Sequence, residues 1–298
     1  MDPFSGEGEL LNISTAFYTH AYKTVVDSDT SALSPQNQAA AQILKYRAQI
    51  ALGQGSAVIA ALESAKDAAS RSIVALAQHV SGNASAVQTA TDLAASDGED
   101  AVVQILAGTV LAAAGEYTLA ADLLSKHKGS LEAVALLVQI HLSQNRTDLA
   151  VKEVTAAKRW ANDSLLINLA EAWLHVRQGG QENYQSAFYV YEELATTPGN
   201  TSPTALVGQA VCEIHLGRWE EAEAALNQAL AAETPDVEAI ANSLVLAAIT
   251  GKKQEQVDEL AKKLETASRN HALLVDLKEK SQLFDTAAQK YRPTKAVA

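Results

Sequence analysis

Few residues in this chain could staple it, kink it or stack in a bulky core. Across 298 residues there are one cysteine, one methionine, six prolines, four phenylalanines and three tryptophans. A lone cysteine excludes an internal disulfide, and Cys212 falls mid-helix, where a small buried side chain is the expected reading. Positive charge is also scarce: 23 Lys and Arg stand against 35 Asp and Glu, a formal net charge of −12. The clustered cations needed to hold a phosphate backbone or dock directly on anionic lipid are therefore missing, so no nucleic-acid partner is expected. No apolar run approaches the roughly 20 residues of a membrane span. The opening MDPFSGEGEL has neither the basic nor the apolar region of an export signal, and a soluble cytosolic protein is expected. Strand signals are almost absent, with no Asn-Gly hairpin turn.

What is present is alanine and leucine at helical spacing. From Pro203 to Asp236 the sequence PTALVGQAVCEIHLGRWEEAEAALNQALAAETPD reads as two short amphipathic helices. The first covers about Thr204 to Leu216, and Gly217 makes the turn because glycine alone enters left-handed backbone space without a Cβ penalty. Trp219 is expected to re-enter the apolar layer. Ala222, Leu226, Ala229 and Leu230 then share one face, and Pro235 closes the unit. This G-x-W-x-x-A-x-x-x-L pattern resembles the second half of a tetratricopeptide repeat, in which small residues let paired helices approach and large ones fill the gaps. It recurs around Gly115 with Ala120 and Leu124, around Asn145 with Ala150, Val154 and Ala157, and at Tyr184 with Ala187, Tyr191 and Leu194. The anchor alanines Ala120, Ala150, Ala187 and Ala222 keep close to the roughly 34-residue period of that repeat.

Further pairs are read at Leu10 to Val26, at Pro35 to Leu62, at Ile73 to Leu93 and at Val237 to Ser268. The expectation is all-α: a right-handed tetratricopeptide-like solenoid of helical hairpins, about eight pairs and a C-terminal capping helix. Residues 1–8 are assigned to a flexible tail, 9–268 to the solenoid and 269–298 to the cap and tail. A polar outer face on the last helix is what closing a solenoid requires.

No constellation of reactive residues emerges. The seven histidines (His20, His79, His127, His141, His175, His215, His271) are dispersed, with no metal-binding pair one helical turn apart. Gly53-x-Gly55 lacks the strand and third glycine of a dinucleotide loop. Glu192-Glu193 and Glu220-Glu221 read as solvated helix ends, and Trp160, Trp173 and Trp219 as packing residues. No catalytic residue, metal or cofactor is assigned.

In a repeat stack the first helices line the concave surface, the usual binding face. Taking Ala120 and Ala222 as anchors, the concave positions are Val102, Ile105 and Thr109 in one repeat and Val207, Val211 and Ile214 in another. Between them Ala135 and Gln139 take the corresponding places. Valine and isoleucine here, where a carboxylate-gripping groove would place charged donors, suit either packing within the solenoid or a permanent apolar protein partner.

Taken in order, the segments AFYTHAYKTVV, LKYRAQIALGQG, TVLAAAGEYTLAADLL, LAEAWLHVRQGGQENYQSAFYVYEELA and GQAVCEIHLGRWEEAEAAL resemble the epsilon-subunit family of coatomer, the COPI vesicle coat. The Gly179-Gly180 loop and the Gly217-Arg218-Trp219-Glu220 turn are its most specific parts. The resemblance implies a non-catalytic structural subunit that binds and stabilises the C-terminal region of the coatomer alpha subunit. It implies service in retrograde Golgi-to-ER and intra-Golgi traffic, with membrane contact only through the coat. Two other readings are a peptide-binding co-chaperone adaptor, which would want basic groove positions, and the helical-repeat subunit of a protein prenyltransferase, which would be richer in tryptophan.

Overall fold

The computed structural model describes residues 6–197, 203–232 and 236–291. Among them there are 17 α-helices, a closing 3-10 turn and no strand. The chain forms two compact units, residues 1–202 and 203–298.

The first unit holds six helix pairs: α1 (Gly6–Tyr18) with α2 (Tyr22–Asp27), α3 (Pro35–Ala51) with α4 (Gly55–Ala61), α5 (Ala68–Val80) with α6 (Ser85–Ser96), α7 (Ala101–Ala113) with α8 (Tyr117–Leu124), α9 (Leu131–Ser143) with α10 (Thr147–Lys158), and α11 (Leu165–Gln178) with α12 (Gln181–Thr196). The first helices form one row, α1 on α3, α3 on α5, α5 on α7, α7 on α9 and α9 on α11. The second unit holds α13 (Thr204–Leu216) with α14 (Trp219–Leu230), α15 (Val237–Ile249) with α16 (Gln254–Ala267), and α17 (Ala272–Ala288). Eight pairs and a last helix are what the repeat spacing predicts, and the class is a tetratricopeptide-type helix-pair solenoid.

The anchor alanines explain the packing. Ala120, Ala150, Ala187 and Ala222 are all wholly buried, because a methyl group is all that fits where two helix backbones come close. Gly108 plays the same part on α7. A Cβ there would lie 3.1–3.4 Å from the side chain of Leu124 on α8, so the leucine occupies the space glycine leaves. Turns follow the expected chemistry. Gly217 sits in the left-handed region at φ 74°, and the corresponding turn after α9 forces Asn145 to φ 58°. Helix starts are capped by side chains: Asp100 accepts from the amides of Val102 and Val103, Ser130 from Ala133, and Asp236 from Glu238, satisfying amides with no partner inside the helix.

Some expectations change. Helix α1 is already formed at Gly6, and Glu9 is anchored, accepting hydrogen bonds from Asn37 Nδ2 at 2.7 Å and from the Ser34 amide at 3.1 Å. Trp219 does not re-enter the apolar layer. It is 39% exposed, because it opens α14 beside the Gly217 turn. Trp160, in the turn after α10, is exposed too, so neither tryptophan is a packing residue. On α17 only Leu273 and Leu274 pack against the rest of the unit, on the cluster of Ala241, Leu244 and Leu264. Pro235, read as a repeat terminator, and the extreme tails lie outside the described residues.

Candidate partner-binding face

The first helix of each pair buries most of its circumference. On α7, residues 103–108, 110 and 111 are all buried, which leaves a strip carrying Val102 and Thr109. These two are seven residues apart and almost superimposed down the helix axis. Ile105 lies on the same helix rotated by about 60°, and that rotation puts it in the core with Leu106 and Val110. Val207 is buried in the same way among Ala210, Ala222 and Leu226. Ile105 and Val207 are therefore wall residues, not surface offered to a partner. Val102, Thr109, Val211 and Ile214 are half-buried, Gln139 is exposed and Ala135 is buried. Thr109 spends its hydroxyl on the Ile105 carbonyl at 2.7 Å. The accessible positions are Val102, Thr109 and Gln139 on the first unit and Val211 and Ile214 on the second.

Sequence reading passed over one polar cluster of the first unit. Arg47 of α3 forms an ion pair with Glu132 of α9. Its Nη1 also donates to Glu132 Oε2 at 3.2 Å. The Tyr18 hydroxyl at the end of α1 donates to that same oxygen at 3.2 Å. The Arg47 guanidinium carbon lies 4.5 Å from the centre of the Phe17 ring, a cation–π contact strengthened by the exclusion of water. Phe17 packs edge-on against Tyr18 and Tyr22 at 5.5 and 5.6 Å. Burial, then the neighbouring carboxylate of Glu132, pushes the Tyr18 hydroxyl far above its ordinary value. Burial alone would pull the Arg47 guanidinium down, but Glu132, together with Tyr18 and Tyr22, more than offsets it and the value rises. The group is thus a neutral phenol, a cation and an anion locked together. Its partners are 85 and 114 residues apart, so no local pattern reveals it. The one legible hint is the density of rings in AFYTHAY, within a chain only 5% aromatic.

This contact also fixes which side of the row is inner. Helices α5 and α7 lie between α3 and α9 in the packing order. Side chains of α3 and α9 can meet past them only on the inside of a curve, where the chord is shorter than the arc. On α9, Glu132 and Gln139 share one helical face, so Gln139 lies on that inner side.

Elsewhere the chemistry is quiet. Among the described residues no group of His, Cys, Asp and Glu could hold a metal ion. Among the same residues no helix is long and apolar enough to cross a membrane. Cys212 is buried, and burial pushes its thiol up to about 12, leaving no thiolate for nucleophilic work. His141 is 9% exposed and its Nδ1 has no hydrogen-bond partner. Desolvation holds it below its ordinary value, against the pull of Glu153. In the second unit a cleft of about 230 Å³ has Leu226, Leu230, Leu246 and Leu260 in its walls. Its lysines are already matched, Lys252 to Glu223 at 3.1 Å and Lys263 to Glu259 at 2.9 Å, so it makes no demand for an ionic ligand.

The described residues define a tetratricopeptide-type helical-repeat protein. Solved structures share the fold. A tetratricopeptide repeat protein from Parabacteroides merdae superposes with a TM-score of 0.60 at 14% identity, covering 79% of this chain and 95% of that one. The structure of the APC/C hetero-tetramer Cut9–Hcn1 gives 0.63 at 14% identity, over 92% of this chain and 55% of that one. Sequence goes further than fold. The coatomer epsilon subunit family profile matches residues 6–292. The probable coatomer subunit epsilon of Schizosaccharomyces pombe is 32% identical over 98% of this chain and 99% of the relative. Coatomer subunit epsilon-1 of Arabidopsis thaliana is 28% identical over 98% and 100%. The chain belongs to the coatomer epsilon subunit family. It is a structural, non-catalytic subunit of the multi-subunit COPI coat that acts in vesicle transport.

Proposed function

We propose that the chain binds and stabilises the C-terminal region of the coatomer alpha subunit, and through it serves retrograde Golgi-to-ER and intra-Golgi transport. Family membership along nearly the whole chain carries this reading. The accessible positions support it. Val211 and Ile214 on α13, and Val102 on α7, are half-buried apolar residues, suited to a permanent partner that removes them from water. The chain works on the cytoplasmic face of the Golgi and reaches the membrane only through the assembled coat, which suits a net charge of −12.

The test is purification of the tagged protein from a cytosolic extract at moderate salt, followed by gel filtration and identification of what co-elutes. A stoichiometric assembly containing an alpha-like chain is expected, and a lone monomer would overturn the reading. Val211→Asp should leave thermal unfolding of the isolated protein nearly unchanged while weakening capture of the alpha fragment. Unfolding of that variant would instead move Val211 into the core.

A further inference from the structure

The Arg47–Glu132 pair does not belong to the proposed partner-binding positions, but it bridges helices on either side of α7, which carries two of them. It spans α3 to α9, while α5 and α7 fill the arc between them. It shares the inner side of α9 with Gln139, and α7, which carries Val102 and Thr109, is one of the helices it encloses. It is more shielded than the exposed ion pairs among the described residues, with Lys158–Glu171 intermediate at 36% and 25% exposure. Arg47 and Glu132 are 13% and 22% exposed, whereas Lys128–Glu99, Arg146–Asp148 and Lys280–Asp276 are more than half exposed on both partners. Exposed pairs of that kind contribute little. A shielded, forked pair with a phenol on one carboxylate oxygen and an aromatic face under the cation sets direction as well as distance. Helix-on-helix contacts along the row leave small angular freedom at each step, and a stack of such steps bends easily. A chord across several steps removes that freedom at once.

We infer that Arg47 and Glu132 are positioning residues for partner binding: their ion pair, seated on Phe17 and Tyr18, latches the helix row from α3 to α9 at one curvature and so presents the inner strip of α7 and α9 ready for the partner. The inference rests on the partner-binding reading above for its consequence, and on geometry alone for the latch. Closing the row before the partner arrives removes an ordering cost from the binding step. An unlatched row would be competent only part of the time, and its apparent affinity would fall by that fraction.

The experiment uses the full chain with Glu132→Gln, which keeps the shape and removes the charge, and Arg47→Met, which keeps the stem and removes the guanidinium. Spin labels on Gln36→Cys and Gln144→Cys, both exposed positions, report the distance between the two ends of the arc, with buried Cys212 left in place. Each variant is expected to lengthen and broaden that distance while keeping the helical circular dichroism of the parent. Affinity for the purified C-terminal region of the alpha subunit should fall by about tenfold or more, chiefly through slower productive association. Arg47→Lys should recover part of both effects. Should Arg47→Met fail to fold, Tyr18→Phe deletes only one hydroxyl and should give a smaller change of the same sign. An unchanged label distance in Glu132→Gln overturns the latch whatever happens to binding. A lengthened distance with equal or tighter binding overturns the positioning role, since the partner would then prefer the open row. If the parent protein itself does not bind the alpha fragment, the functional reading fails, while the label distances still decide the latch.

Discussion

Helices α7 and α17 both carry leucine, valine and alanine, AVVQILAGTVLAA in one and ALLVDLKEKSQLFDTAA in the other, but α17 adds five charged residues, and their apolar side chains are treated in opposite ways. On α7 eight consecutive or near-consecutive residues are buried, including the polar Gln104, whose amide donates to the Gly98 carbonyl at 2.9 Å. On α17 nothing is buried, and Leu283 and Phe284 stand 62% and 72% exposed. The difference lies in those charges and in the neighbours. Helix α7 is packed by α5, α6, α8 and α9, whereas α17 follows the last pair and is held by Leu273 and Leu274 at its first turn. In a stacked repeat, burial is a gift of the elements on both sides, and a terminal helix receives it from one side at most.

That contrast can be broken at its strong end first. Leu111→Ala on α7 should cost about 2–5 kcal/mol in urea or thermal unfolding, because a wholly buried leucine leaves a cavity. Gly108→Val comes next, at about 1–3 kcal/mol, since its added atoms must displace Leu124. At the weak end Leu283→Ala and Phe284→Ala should each change stability by no more than about 0.5 kcal/mol. A loss of several kcal/mol at Phe284 would mean that α17 is packed in solution and the comparison is false.

A pH titration sharpens the same point within the first unit. His141 is buried without a partner for Nδ1, and desolvation lowers its value in the folded chain. The unfolded chain then takes the proton first, so stability is full above the ordinary value of 6.5 and is lost as the pH falls through it toward the folded value. His141→Leu should flatten the stability profile between pH 7 and pH 5 in thermal scans. An unaltered slope would assign that window to other groups.

The repeat architecture was legible because its determinants are local. Ala120, Ala150, Ala187 and Ala222 must be small, Gly217 and Asn145 must turn, and Ser34-Pro35 must start a helix, and each requirement is written within a few residues. The binding strip was legible only in part. Val102 and Thr109 fall on one face by helical spacing, but whether Ile105 joins them depends on a rotation of about 60° that a neighbouring helix can cover. Trp160 and Trp219 were misjudged for a related reason: a large apolar residue at the edge of a helix has no partner unless another element reaches it.

The sequence by itself therefore determined the element order, the eight pairs, the family and the absence of any recognisable reactive motif. All of these follow from periodicities shorter than one repeat or from continuous resemblance. Only the tertiary structure decided that Tyr18, Arg47 and Glu132 meet, that Ile105 and Val207 are walls and not surface, and that Leu277 and Leu283 of α17 stay in water while Leu273 and Leu274 pack. Those outcomes depend on the curvature accumulated over many helix contacts and on which elements have neighbours, and neither quantity is encoded at any single position.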